Sequence, residues 1–198
     1  MVGKLRSGAM TNIILLGVLL LTAIHSRFCK TIGSRLYIAL FLILMLVYSG
    51  QYLYIQSFQG DIVHYEGYFN RISTFYEIFF GYGSWKGDYL FSTIIVLVKF
   101  FGGDYRDFLF VQSATQNIIV FFSLLLVSSK IKGRDRLFFV SSTLLFILSM
   151  PYFHFFNGNV LRQGLATSLI LMALATLSYG NRIGFYSSLL LGVFSHKY

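Results

Sequence analysis

The residues best able to do chemistry fall in three places. The first is the run Asn157-Gly158-Asn159-Val160-Leu161-Arg162-Gln163-Gly164-Leu165-Ala166. Arg162 stands at the start of an apolar stretch, where a charge is costly unless an anion or water meets it. A helix N-terminus adds positive potential, so Arg162 with nearby backbone amides is a candidate anion site. A guanidinium holds phosphate oxygens in a bidentate way. The competing reading is that Arg162 snorkels to an interface and binds nothing. The second place holds Gly60-Asp61, His64-Tyr65 and Tyr68-Phe69. Acid, histidine and spaced tyrosines suit a sugar: aromatic faces stack on pyranose rings and carboxylates accept hydrogen bonds from hydroxyls. The same tyrosines also fit an interfacial aromatic belt. The third place is Phe194-Ser195-His196-Lys197. His196 could act as a base near neutral pH, or be an ordinary interfacial histidine; His154 is open to the same two readings.

Other polar residues point to structure. Gln112, Gln116 and Asn117 lie within an apolar run and suit hydrogen bonds between helices. Gly164 and Ser168, one helical turn apart, permit close helix packing. Trp85 and many tyrosines read as interface anchors. One cysteine, Cys29, and four scattered histidines do not make a zinc pattern. Gly81, Gly83 and Gly87 do not match a phosphate-cradling loop. No metal, cofactor or nucleotide chemistry is expected.

The elements that must position these residues are membrane helices. Apolar residues are 56% of the chain and charged residues 12%, with a mean hydropathy of +0.70. A soluble domain carries about 25% charged residues. The net charge of +9 does not imply nucleic acid, because the basic residues sit in short segments between apolar runs. The length is therefore better divided by the roughly 20 residues that cross a bilayer. The runs are Ala9 to Ile24, Leu36 to Ile55, Phe108 to Ser129, Leu137 to Phe153, Val160 to Tyr179, and a last one from Ile183. Tyr89 to Phe101 is too short to cross and contains Lys99, so it reads as an interfacial or re-entrant helix. The fold class is all-α: one polytopic transmembrane domain over residues 1–198 with about six spans.

Loop charge orients it. Arg27, Lys30 and Arg35 form one basic segment, Lys130, Lys132, Arg134 and Arg136 a second, and Arg182 marks a third, all expected inside. The long segment of residues 56–106 and the segment Tyr152 to Asn159 then face outward. The N-terminus lies outside. Arg27 and Lys30 follow the first run where a small-residue cleavage site would stand, so that run is an anchor.

The combination resembles the EpsG family of Wzy-like bacterial polysaccharide polymerases. Asp61, Tyr65 and Phe69 fit the family's D-x-x-x-Y-x-x-x-F pattern. Asn159 to Ala166 is close to its N-x-x-R-Q-G-x-A motif, the most specific of the matches. Phe194-Ser195-His196-Lys197 is similar to its F-x-H-K ending. Many members carry an arginine shortly before the aspartate, and Gln56 to Gln59 offer none. The resemblance covers essentially the whole chain and about half of a typical member, which implies the N-terminal part of a longer architecture, with activity in question for that reason.

The resemblance implies an enzyme of the bacterial cytoplasmic membrane. It would join polyprenyl-diphosphate-linked oligosaccharide repeat units on the outer face, in capsule, exopolysaccharide or O-antigen synthesis. Arg162 would meet the diphosphate, His196 would be a base or second phosphate contact, and Asp61 would bind or deprotonate the acceptor. His64, Tyr65, Tyr68, Asn159 and Gln163 would line the substrate site. Membrane lipid, a chain-length regulator and a flippase of the same pathway would be partners; nucleic acid would not. Two alternatives stay open: a transporter or flippase component for a lipid-linked or anionic substrate, and a non-functional membrane remnant.

Overall fold

A computed structural model describes residues 17, 34–50, 61–80, 88–149 and 161–195, and all regular structure among them is helical. In chain order these are α1 (Ser34–Gly50), α2 (Asp61–Arg71), α3 (Phe75–Phe80), α4 (Tyr89–Phe100), α5 (Tyr105–Val127), α6 (Gly133–Ser149), α7 (Leu161–Tyr179) and α8 (Arg182–Ser195). A 3-10 turn, Ser128–Lys130, extends α5. The apolar run at Ala9 to Ile24 lies outside the described residues except for Gly17.

Two helical stretches are long and apolar enough to cross a membrane: Tyr105–Lys130, of 26 residues, and Leu161–Tyr179, of 19. Ile38–Gly50, Tyr89–Phe100 and Phe138–Ile147 are apolar but shorter. The helix expected at Tyr89 to Phe101 is therefore present and short, as its length required.

Five helices, α1, α5, α6, α7 and α8, form a bundle whose directions follow from cross-contacts. Leu161 meets Gln112 and Gln116, and Met172 meets Ser123, so α7 runs parallel to α5. Ser49 meets Ser113 and Asn117 while Phe41 meets Phe121, so α1 runs antiparallel to α5. Arg136 at the start of α6 bonds the Leu125 carbonyl and the Ser128 hydroxyl at the end of α5. The turn between α7 and α8 needs glycine: Gly180 has φ +90°, its amide bonds Leu177 and the next amide bonds Thr176, a Schellman ending. Asn181 then caps α8 by accepting from the Gly184 amide at 2.9 Å.

The level of Gln112 to Asn117 is a floor on which a smaller layer rests. Gly50, Leu161 and Ser195 all end or begin near it. Above it, α2, α3, α4 and the first turns of α5 pack together. The sequence reading treats residues 56–106 as a loop with one helix; the structure places three helices there. The cause is plain in α2. Ile62, Tyr65, Tyr68, Phe69 and Ile72 recur every three or four residues and are all buried. They join Phe91, Ile95, Phe108, Leu109 and Leu161 in one core. A second core, around Phe41, Met45, Tyr48, Phe121 and Leu144, holds the bundle below.

Candidate functional site

The site grows from the start of α7. Gln112 Nε2 and Gln116 Nε2 both donate to the Leu161 carbonyl, at 3.3 and 2.9 Å. They fix the first residue of α7 against the middle of α5. This is the interhelical bonding expected of them, and Asn117 does the same toward α1, donating to Ser49 Oγ at 2.9 Å. Gly164 and Ser168, a turn further along α7, are buried, in keeping with the packing role.

Arg162 follows directly and does not reach out to solvent alone. Its Nη1 donates to Asp88 Oδ2, a charge-assisted bond. Its Nε donates to the Tyr65 hydroxyl at 3.5 Å, and its guanidinium lies 5.7 Å from the Tyr65 ring centre. The Asp88 side chain is 1% exposed and that of Arg162 is 20% exposed. A charge at the head of an apolar helix thus has its anion, supplied from 74 residues earlier. Asp88 occupies the N-cap position of α4, yet its side chain does not cap that helix. The carboxylate serves Arg162 instead.

The tyrosines of α2 differ from both sequence readings. Tyr65 is 3% exposed and Tyr68 7%, so neither ring offers a face to a sugar or to an interface. Both pack on Phe91, with ring centres at 5.4 and 6.2 Å. The Tyr68 hydroxyl shares a 2.6 Å hydrogen bond with Ser92 Oγ. Burial pushes the Tyr68 phenol up, with the Ser92 bond pulling the other way, so it stays neutral at pH 7. Their role toward Arg162 is support: Tyr65 stacks and bonds, and Tyr68 holds Phe91 and Ser92 behind it.

His64 and Gln163 are exposed beside this core. Asp61 opens α2. Asn159 and His196 lie outside the described residues, as does His154. The chain neighbour Phe194 packs edge-on against Tyr89, at 6.0 Å, immediately after Asp88. Three segments singled out in the sequence, around Tyr65, Arg162 and Phe194, therefore meet at one end of the bundle. The residue missed was Asp88. Its signal was indirect: a buried arginine requires a carboxylate, and Asp88 opens the short apolar helix.

Behind the site, Lys99 explains itself. Its Nζ donates to the Ile72 carbonyl at 2.6 Å and sits 4.7 Å from the Phe69 ring centre. It closes the C-terminal end of α2, where a cation is favoured.

Among comparisons with known proteins, the model of the EpsG family matches residues 35–198. No curated protein and no solved structure matches the chain. The match spans every described helix except the first residue of α1, and it contains Tyr65, Asp88 and Arg162; the chain belongs to the EpsG family.

Proposed function

We propose that this chain is a Wzy-like polysaccharide polymerase of the bacterial cytoplasmic membrane. In this reading it joins lipid-diphosphate-linked oligosaccharide units, and its reacting centre is the end of the bundle where α2, α4, α7 and α8 meet. The observation that carries it is Arg162, held by Asp88 and Tyr65 at the head of an apolar helix and still one-fifth exposed. Transfer from a lipid diphosphate develops negative charge on the departing phosphate. A preorganised guanidinium stabilises that charge in the transition state. Asp88 on Nη1 and the Tyr65 hydroxyl on Nε together hold the guanidinium, so little reorganisation is needed when the diphosphate arrives. His64 and Gln163 are exposed beside this point and, with Asp61, Asn159 and His196 of the sequence motifs, are the candidates for binding the sugars or taking the acceptor proton.

The membrane part of the proposal, about six spans with residues 56–106 outward, has physical support. From Gln112 to Lys130 the bundle is about 27 Å deep at ~1.5 Å per residue, close to the roughly 30 Å of a bilayer core. Its outer faces are apolar. Ile43 is 57% exposed, Phe146 60%, Leu174 56%, Leu190 56% and Val193 58%. Exposed apolar surface on that scale belongs against lipid.

The test uses cells that make polymer through this chain. Arg162→Ala is expected to collapse the polymer ladder to single lipid-linked units, with Arg162→Lys restoring little because a point charge lacks the planar fork. Unchanged chain length and yield in Arg162→Ala would sink the proposal. Loss of repeat units from the outer leaflet, rather than loss of their joining, would indicate a transporter instead.

A further inference from the structure

A groove of about 650 Å³ runs beneath α4, between it and α5, α7 and α8. On α5 it follows Asp107, Val111, Thr115 and Ile119, a straight i, i+4 stripe about 18 Å long at ~1.5 Å per residue. Below the level of Arg162 its walls are Leu165 and Leu169 of α7 and Leu191 of α8.

The lining decides what can fill it. Asp107 stands at the upper mouth and its carboxylate already accepts from the Asp104 amide at 2.8 Å. The Thr115 hydroxyl is spent on the Val111 carbonyl at 2.8 Å. The remaining side chains of the groove are hydrocarbon. Water in a cavity needs two to four polar partners, and this wall has no such set to offer. A sugar would lose its hydrogen bonds there without compensation. A hydrocarbon chain loses nothing and regains the dispersion contacts that an empty groove forfeits.

Charge selects which chain. Leu165 lies one turn beyond Arg162 on α7, and Leu90, another wall residue, lies two residues beyond Asp88. The lower groove therefore opens within one helical turn of Arg162 along α7 and descends between apolar side chains, although Arg162 itself does not line it. An amphiphile with a phosphate head and one long chain matches that order, head at Arg162 and chain along Leu165, Leu169 and Ile119. We infer that the groove between α4, α5, α7 and α8 is the seat of the isoprenoid chain of the lipid diphosphate. The inference rests on the polymerase reading for the identity of that lipid.

The test is photolabelling in membranes from cells that carry the chain. The probe is a sugar-free polyprenyl diphosphate with a diazirine near its diphosphate end. After irradiation, adducts are mapped by mass spectrometry. Adducts are expected at residues 115–119, 165–169 and near 191, and excess plain polyprenyl diphosphate should remove them. Leu191→Trp, which fills the groove from a partly exposed position, and Thr115→Leu, which narrows it from the opposite wall, should each cut labelling by about fivefold or more. Adducts on the outer faces at Ile43 or Phe146 instead would overturn the proposal. So would equal labelling by a diazirine phosphatidylglycerol that polyprenyl diphosphate fails to displace. Groove labelling in cells whose polymer does not depend on this chain would defeat the polymerase reading alone. Polymer joining with no groove labelling would defeat the groove alone.

Discussion

Arg162 and Asp88 are a pair that neither residue could form cheaply alone. Removing one partner leaves a buried charge, at a cost of about 3–5 kcal/mol. Asp88→Asn and Arg162→Ala are each expected to lower thermal stability in detergent on that scale. The double change Asp88→Leu with Arg162→Met should recover most of it, because a packed apolar pair is often as stable as a buried ion pair. Polymer joining should stay lost in the double variant. Recovery of both stability and joining would mean that the pair is only a brace. Glu77 offers a pH test at the same scale. Its carboxylate accepts from the Ser73 and Thr74 amides, at 2.6 and 2.8 Å, which holds it below the ordinary 4.5. A lowered folded value means that its contribution is present above pH 4.5 and is lost as the pH falls through the lowered value. Protection of the Ser73 and Thr74 amides, read as exchange relative to the intrinsic rate at each pH, should fall over that acid range, and Glu77→Gln should flatten the response. The need for a partner to Arg162 was legible in the sequence. Which acid would supply it was not, since Asp61, Glu66, Glu77, Asp88 and Asp104 all lie in the one segment of residues 56–106.

The helices of the upper layer show why an element can be hidden in plain composition. α2 has the spacing of a helix in Ile62, Tyr65, Tyr68, Phe69 and Ile72. Its glycine, histidine and charged residues lower its hydropathy, so a search for membrane spans passes over it. Tyrosine adds to the difficulty, because the same ring serves a belt, a sugar platform or a core. The long runs were easier: α5 and α7 begin and end within a few residues of the apolar stretches Phe108 to Ser129 and Val160 to Tyr179. The join between α4 and α5 is set by glycine. Gly102 has φ +77°, and a Cβ on Gly103 would meet Val98 Cγ1 at 2.7 Å. Asp104 then starts α5 with a capping box to Asp107. Gly102→Ala should cost about 1 kcal/mol through its positive φ. Lys99→Met should cost a similar ~1 kcal/mol by uncapping α2. Both are read from detergent melting curves. Lys99→Met should leave the Arg162 site intact, because Lys99 faces the other end of α2.

The whole molecule has two unlike ends, and that asymmetry can be measured. One end carries Lys130, Lys132, Arg136 and Arg182 on or beside two short connections, and the parallel course of α5 and α7 brings the two connections to the same side. The other end carries α2, α3 and α4, with Glu77 and Arg71 exposed. If the bundle spans the bilayer, basic connections stay inside and the layer with Asp88 lies outside. In a Cys29→Ser background, Glu77→Cys should react with a membrane-impermeant maleimide on intact cells. Lys132→Cys and Arg182→Cys should react only after the membrane is opened. The reverse pattern would place the Arg162–Asp88 site on the cytoplasmic side, away from any outward joining of glycan units. Reaction of all three on intact cells would remove the spanning bundle altogether. The expected pattern would put the lower groove, the guanidinium and the outward layer in the order that a lipid-linked sugar presents its own parts: chain in the bilayer, phosphate at its edge, glycan beyond.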